Sequence, residues 1–174
     1  AANVGEYAGL VTLAAADADI PAAQKIAAAA VTSANVIAEM GKVVDQIPSA
    51  LYGKEDLHLY VSQNVARAYV RILGGFAAAG LGGSGTNAMG TQWWNNGSLS
   101  FDGVKVFVAQ GMSDNSMMAA ERSNLYFATS LVGNMNEVKL LDMSDLDGSS
   151  NCRVICRFSG TVNYGISSDI VVYS

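Results

Sequence analysis

Residues 57–73, LHLYVSQNVARAYVRIL, decide the fold of this chain. The first five alternate apolar side chains with His and Tyr, which predicts a short strand over Leu57–Val61. Ser62 can cap the helix that follows, because its side-chain oxygen can accept a free N–H of the first turn. Helical spacing of apolar residues predicts that this helix spans Gln63–Leu73, and Gly74-Gly75 is predicted to stop it.

A second helix is predicted upstream, where apolar residues recur at helical spacing from Val36 to Ile47. Thr32 or Ser33 is expected to cap this helix, and Pro48 is expected to end it. The apolar stripe consists of Val36, Ile37, Met40, Val43, Val44 and Ile47. The opposite, polar face carries Asn35, Glu39, Lys42, Asp45 and Gln46.

The rest of the chain predicts short elements at the start and strands at the end. The first thirty residues are rich in Ala, with one proline at Pro21, and predict only short helical or extended pieces. Composition and alternation predict strands at Val104–Ala109, Asn124–Ser130, Glu137–Met143, Asn151–Ser159 and Ile170–Tyr173. Asp147-Gly148 indicates a hairpin turn between the third and fourth of these. Helices first and strands last predict the α+β class, with helices packed on a mixed or antiparallel sheet.

Composition excludes several classes of protein. Hydrophobic residues make up 51% of the 174 residues and charged residues 14%, so the chain can bury a core and is not disordered. A surface this poor in charge favours permanent partners. The net charge of −5 disfavours direct DNA binding but is compatible with the wall of a DNA container, which must not adhere to phosphate.

No apolar run is long enough for a membrane span, and the start lacks the pattern of an export signal. Because the first residue is Ala, we expect a cut or processed piece of a longer chain.

The only cysteines are Cys152 and Cys156. On one strand their Cα atoms would lie about 13 Å apart, which is too far for a disulfide. Together with Val154 and Phe158 they form an alternating pattern that is typical of a buried strand face. We therefore expect buried free thiols, as in a reducing compartment.

Two motifs resemble ligand sites but lack the required context. Gly80–Gly85 matches G-x-G-x-x-G, yet a helix precedes it where a dinucleotide site needs a strand. Asp145–Ser149 resembles the start of a calcium loop, but Cys156 occupies the position of the bidentate Glu, and a hairpin turn is favoured. The cluster Asp142, Asp145 and Asp147 could attract a divalent ion only weakly. The sequence predicts neither a metal site nor a cofactor.

Candidate catalytic residues are equally few. His58 is the only histidine, and it lies on the strand face opposite Leu57, Leu59 and Val61, with no nucleophile or carboxylate partner in a recognisable motif. A structural or surface role is favoured for it. Four further polar residues in the β-rich half are interpreted as solvated loop side chains: Asp114, Asn115, Glu121 and Arg122. The chain is therefore not expected to be an enzyme.

Residues 74–97 form a long segment of Gly, Ala, Asn and Thr that contains Trp93-Trp94. Loops of this length inside a domain are usually functional or ordered by a partner. Two adjacent indoles are costly to leave in water, so at least one should pack on the domain or on a neighbour. The candidate subunit-contact residues are Gly82, Gly83, Trp93 and Trp94.

The order of these elements resembles the axial domain of tailed-phage major capsid proteins, which have the Hong Kong-type capsid fold. In that family a helix leads to a strand that ends in Ser or Asn near the start of the next helix, as here around Ser62. Other segments resemble the return strand and turn, the next strand and the closing strands of the family. They are Gly103–Val108, Gly111–Asn115, Asn124–Thr129, Leu141–Met143, Arg153–Phe158, Tyr164-Gly165 and Val171–Tyr173. The resemblance covers nearly the whole chain from about Gly9.

The resemblance implies that residues 1–174 are one capsid-like domain fragment, with residues 30–140 similar to the axial domain and 141–174 to closing strands of the peripheral domain. The N-terminal arm, extended loop and spine helix of the family have no counterpart in the sequence. The family assembles with copies of itself into hexamers and pentamers that enclose double-stranded DNA without sequence-specific binding. The resemblance thus implies a virion protein, assembled in the cytoplasm of a bacterial host, with scaffolding or portal proteins as further partners. It requires no cofactor and brings axial-domain loops near the symmetry axis.

The sequence leaves three alternative functions open. The first is a related cage, either an encapsulin-like compartment or another phage structural protein. The second is a small α+β enzyme with a site near His58 and the Gly-rich loop, which a perturbed pKa in a shared pocket would support. The third is a ligand-binding module, which a deep apolar cavity would favour.

Overall fold

The computed structural model describes residues 8–78, 86–87, 90–91, 99–129, 137–143, 148, 150–157 and 160–174. Within them the fold is α+β, as predicted, with helices packed on a mixed six-stranded sheet and smaller two-stranded pairs beside it. The helices are α1 (Leu10–Ala16), α2 (Val36–Asp45) and α3 (Gln63–Ala78). The strands are β1 (Lys25–Ile26), β2 (Leu57–Val61), β3 (Thr86–Asn87), β4 (Gly90–Thr91), β5 (Leu99–Phe101), β6 (Val104–Val108), β7 (Met117–Glu121), β8 (Leu125–Ala128), β9 (Glu137–Asp142), β10 (Cys152–Arg157), β11 (Thr161–Tyr164) and β12 (Val171–Tyr173).

The main sheet has the strand order β1-β12-β7-β2-β6-β5. β1 pairs with β12, and β2 with β6, in parallel. The other neighbours are antiparallel. A parallel pair needs a long connection between its strands, and α3 with the segment after it supplies that connection between β2 and β6.

The predicted strand and helix lie on either side of Ser62, but the described hydrogen bonds do not include the predicted side-chain cap, since the Ser62 hydroxyl donates to Asn64 Oδ1 at 2.6 Å. The side chains of β2 alternate between buried and half-buried. Ser62 is fully buried, and its carbonyl accepts the N–H of Ala66 at 3.1 Å, which starts α3. The prediction that Gly74-Gly75 stops the helix is wrong, because α3 continues to Ala78. Each helical glycine costs only about 1 kcal/mol relative to alanine, and the Phe-Ala-Ala that follows can continue the helix.

α2 confirms the predicted apolar stripe but not its predicted cap. Neither Thr32 nor Ser33 caps the helix; Asn35 precedes it, and its side-chain oxygen accepts the N–H of Thr32 at 2.7 Å. The Thr32 carbonyl accepts the N–H of Val36 at 3.0 Å, so a tight turn leads directly into the helix. Every member of the stripe is buried except Ile37, which is 43% exposed.

β7 is a central strand of the sheet that was not predicted from the sequence. Its run Met-Met-Ala-Ala does not alternate, and both residue types favour helix over strand. In the sheet β7 lies between β2 and β12, and its first four residues are buried. Met117 and Ala119 belong to the core on one face, whereas Met118 and Ala120 belong to the core on the other. A strand covered on both faces loses the alternation by which strands are recognised. The short strand β5 was not predicted either.

The two faces of the sheet carry separate cores. α2 and α3 cover the first face, and the largest fully buried side chains there include Leu59, Met117 and Tyr173. α1 covers part of the second face, over β7 and β12, where Ile170 and Met118 are buried. Burial of each such side chain contributes about 1.5–3 kcal/mol, so the two cores supply most of the driving force for folding.

The prediction that Glu39 lies on the solvent face of α2 is wrong. Glu39 is 7% exposed, and its carboxylate accepts the hydroxyl of Tyr173 at 2.8 Å. Both carboxylate oxygens also accept the ammonium of Lys42, at 2.8 and 2.9 Å. The Tyr173 hydroxyl in turn accepts the N–H of Ala29 at 2.9 Å. A buried carboxylate requires such partners, and these join α2 to the last strand and to the segment after β1.

β9 and β10 form the hairpin predicted around Asp147-Gly148, although Asp147 lies outside the described residues. Gly148 adopts a φ of +70°, which glycine accommodates without strain. The prediction that Cys152 and Cys156 are buried is wrong, since both thiols are free and exposed. The side chains alternate as expected, but no described residue covers this face of the hairpin.

The proposed division of the chain near residue 141 stays a prediction. β12 comes from the second part, yet it is hydrogen-bonded to β7 in the same sheet as the strands of the first part. β1, which precedes residue 30, joins that sheet through β12.

Replacing the buried carboxylate, Glu39→Gln, should lower the free energy of unfolding by about 1–3 kcal/mol, because the charged hydrogen bonds to Lys42 and Tyr173 are lost or weakened. The matched control is Asp45→Asn on the same helix, an exposed position where a change within about 0.5 kcal/mol is expected. Urea unfolding followed by circular dichroism measures both. Equal stability of the two variants would contradict the assigned role.

The effect of Glu39→Gln should also depend on pH. The hydrogen bond from Lys42, and then that from Tyr173, holds the pKa of Glu39 below its usual range. A lowered folded-state pKa contributes stability that is present above about pH 4–5 and lost as the pH falls through the folded-state value. The stability difference between wild type and variant should therefore shrink below about pH 4. A difference that is constant from pH 7 to pH 3 would argue against this linkage.

Candidate interaction surfaces

The candidate contact residues Gly82, Gly83, Trp93 and Trp94 lie outside the described residues, as does Gly80–Gly85. Two pieces of the same segment are described, and they pair in antiparallel fashion as β3 and β4. The assignment of this segment to a subunit junction stays a prediction.

His58 is half-buried on β2, on the face opposite Leu57, Leu59 and Val61, as predicted. Its Nδ1 lies 2.7 Å from the backbone carbonyl of Asp56, which assigns the proton to that nitrogen, and its ring stacks on Tyr60 with 6.1 Å between centroids. The Asp56 carboxylate accepts the N–H of Ser123 at 2.8 Å, and hydrogen bonds from Ser123 lower the pKa of Asp56. The hydrogen-bond and ring contacts of His58 within the described residues thus include no nucleophile.

Polar side chains meet where β2 ends and α3 begins. The Asn64 amide donates to Asn115 Oδ1 at 2.7 Å, and the Asn115 N–H donates to Asn64 Oδ1 at 3.0 Å. The Ser62 hydroxyl donates to Asn64 Oδ1 at 2.6 Å, and Asn115 Oδ1 also accepts the N–H of Val31 at 2.9 Å. Asn115 has a φ of +61°, a region that Asn tolerates better than most residues. The cluster is satisfied internally and joins three segments of chain.

Asn115 is therefore not the solvated loop residue that the sequence suggested. Glu121 is not a solvated loop residue either, because it is half-buried and its Oε1 lies 2.6 Å from Lys54 Nζ. Asp114 and Arg122 are exposed, as predicted. Both errors arise because each partner lies far away in the sequence.

A cleft of about 500 Å³ lies between α1 and the second face of the sheet. Its walls are mainly apolar and include Leu10, Met112, Met118 and Leu125. Tyr60 is the titratable side chain in the wall, and burial raises its pKa. The cleft does not contain the paired nucleophile and base that acyl or phosphoryl transfer needs.

Of the two sequence motifs, only the calcium-like one concerns a metal, and the structure does not test it. Within the described part of the chain, no group of three or more His, Cys, Asp or Glu side chains could hold a metal ion. Asp145 and Asp147 of the calcium-like motif lie outside that part. Nor does the described part contain a helix of the length and hydropathy required to cross a bilayer.

The exposed apolar surface of the β9–β10 hairpin is the feature that most needs an explanation. On one face Val138, Leu140 and Val154 are 68%, 70% and 62% exposed, and the register sets Leu140 opposite Val154. Cys152, Cys156 and, opposite Cys152, Asp142 lie on the same face, and we call the surface formed by Val138, Leu140, Cys152, Val154 and Cys156 the hairpin face. An isolated hairpin is marginally stable in water, and clustered exposed apolar side chains mark interaction sites. The hairpin face is therefore a candidate interaction surface.

The fold has a counterpart among solved structures. A structure from Mycobacterium phage Che8 matches it with a TM-score of 0.59 over 87% of this chain, at 11% sequence identity. The chain shares its fold with a phage protein. It spans 54% of the length of the Che8 chain. No protein-family model and no curated protein sequence matches the chain.

The exposed hairpin face predicts that both cysteines react in the native, unassembled protein. A maleimide reagent should modify Cys152 and Cys156 at rates within about tenfold of those in urea, because exposed thiols lack the protection that burial gives. Mass spectrometry counts the adducts as a function of time. Protection of either thiol by a factor of a thousand in the native monomer would contradict the exposed geometry.

Proposed function

We propose that this protein is a structural subunit of a tailed-phage capsid, which self-assembles into an icosahedral shell that encloses double-stranded DNA. The observation that carries the proposal is the shared fold with the phage Che8 protein. The resemblance of the element order to tailed-phage major capsid proteins supports the same assignment. The finished particle is then the virion, assembled in the cytoplasm of a bacterial host.

The hairpin face adds independent physical support for a subunit of an assembly. Exposed Val and Leu side chains contribute nothing to the stability of the monomer, yet each can contribute about 1.5–3 kcal/mol when a neighbour buries it. A charged fraction of 14% and a net charge of −5 suit a wall that packs against copies of itself and does not adhere to the enclosed DNA.

We propose no catalytic role. His58 donates to a backbone carbonyl and stacks on Tyr60. The acidic side chain nearest to it in sequence, Asp56, accepts a backbone N–H. An architectural function requires no cofactor, and the natural partners are copies of this protein together with scaffolding and portal proteins.

A compartment shell of the encapsulin type is the main alternative function, because contacts between its subunits would bury the same exposed surfaces. The contents of the particle distinguish the two functions. Particles purified from the native host should contain nuclease-protected double-stranded DNA if the protein is a phage capsid subunit, and they should contain cargo protein if it is a compartment shell.

The full-length protein should form capsomers or closed shells in negative-stain electron microscopy. Leu140→Ser combined with Val154→Ser should reduce the yield of shells by about tenfold, because two exposed apolar anchors are removed without disturbing either core. The control variant Ile166→Ser, at a residue 54% exposed outside the hairpin, should assemble normally. Wild-type protein that stays monomeric at high concentration would overturn the proposed function.

The junction assignment for Trp93 and Trp94 can be checked by fluorescence. These are the only tryptophans, so Trp93→Phe and Trp94→Phe each leave a single reporter. On assembly, the emission of at least one reporter should shift to the blue and acrylamide quenching should fall, because the indole leaves water. If both indoles stay fully quenchable in assembled shells, the junction assignment is wrong.

A further inference from the structure

The outward face of α3 carries charge without an internal partner. Gln63, Arg67 and Arg71 recur every four residues on the side opposite the buried Val65 and Tyr69 and are exposed. Within the described residues neither arginine has a hydrogen bond or ion pair. We call Gln63, Arg67 and Arg71 the basic helix face. Its net charge is +2, opposite in sign to the net charge of −5 of the whole chain.

An acidic surface lies on the other side of the molecule. Asp17 follows α1, Asp19 is exposed two residues later, and Asp169 lies in the helical turn before β12. The Gln24 amide donates to the Ser168 carbonyl at 2.9 Å, which brings the segment after α1 next to that turn. Lys25 contacts the backbone carbonyl of Asp17, so the three carboxylates and one ammonium give a net charge of −2. We call Asp17, Asp19 and Asp169 the acidic flank.

The strand order separates these two surfaces. α3 covers the β6–β5 end of the sheet, where the Tyr69 hydroxyl donates to the Ser100 carbonyl at 2.8 Å. The acidic flank borders β12 and β1 at the other end, and it lies on the opposite face, which α1 covers. Six strands at about 4.8 Å spacing span about 24 Å. The opposite charges therefore cannot meet within one molecule.

We infer that the basic helix face docks on the acidic flank of a second copy of this chain, so that neighbouring subunits meet head to tail around a capsomer. Complementary patches on opposite sides of a subunit generate a ring when the rotation closes. The two net charges are equal in size and opposite in sign, as an attractive interface between copies requires. This inference rests on the proposed function and names the surfaces through which it acts.

A single exposed ion pair is weak, so these contacts determine register and association rate more than total affinity. Repetition around a ring multiplies their effect, and screening by salt should diminish it. DNA is the other polyanion that the basic helix face could contact. Two arginines on a chain with a pI near 4.6 form a small basic patch compared with those of nucleic-acid-binding proteins. This favours a second copy of the chain, and not DNA, as the partner of the basic helix face.

Charge reversal with rescue tests the pairing in the full-length protein. Arg67→Glu with Arg71→Glu, and separately Asp19→Lys with Asp169→Lys, should each reduce the yield of capsomers at low salt by about tenfold. The combined variant should restore the yield to within about threefold of wild type, because the pairs are re-formed with exchanged signs. Asp17 is left unchanged because its carboxylate accepts the Tyr164 hydroxyl at 2.5 Å; burial, and then this hydrogen bond, raises the pKa of Tyr164 to about 12.

The control is Asp45→Lys with Asp114→Lys, which changes the net charge as the aspartate pair does, but at exposed sites outside both surfaces, and should assemble as wild type does. Normal assembly of either charge-reversed pair, or failure of the combined variant to recover while the control assembles, overturns the inference and leaves the proposed function intact. So does an arginine variant that assembles normally but retains less DNA, because the basic helix face would then be a DNA contact. If wild type itself does not assemble, the proposed function fails first.

Discussion

Burial of β7 on both faces is the constraint on which the rest of this structure depends. The strand pairs with β2 on one side and with β12 on the other, so it connects the early part of the chain to its last residues. Met117 and Ala119 face the core under α2 and α3, whereas Met118 and Ala120 face the core under α1. Small and unbranched side chains let helices approach from both sides. A charged residue at any of these four positions would be buried without a partner, which is one of the most destabilising changes a core can undergo.

Buried polar contacts then determine how the pieces are arranged around that sheet. The Glu39–Tyr173 hydrogen bond joins residues 134 positions apart, and the Asn64–Asn115 pair joins residues 51 apart. Apolar packing tolerates many arrangements, whereas a buried carboxylate or amide is satisfied in few. Both contacts lie at junctions between segments: one where α2 meets the last strand, the other where β2, α3 and the turn after β6 converge.

These contacts also show what can be predicted from the sequence. Local patterns were sufficient for β2, the start of α3, the stripe of α2 and the β9–β10 hairpin, because alternation, helical spacing and turn residues act over a few positions. Glu39 was assigned to solvent by its place on the polar face of the helix, and Asn115 and Glu121 as loop residues, because the partners Tyr173, Asn64 and Lys54 are distant in the sequence. β7 was missed because two-sided burial removes alternation. The candidate contact residues Trp93 and Trp94 were chosen by composition alone, and they stay a prediction.

The wrong prediction for Cys152 and Cys156 is the most informative about function. An alternating strand predicts a buried face on the assumption that the same chain supplies the cover, and here no described residue covers Val138, Leu140 and Val154. Apolar side chains on such a face gain little from burial within the described structure, and we propose that a partner buries them. The hairpin face and the basic helix face both lie outside the two-sided core around β7. Substitutions at either surface should therefore leave the fold intact, and under the proposed function they would alter assembly separately from folding.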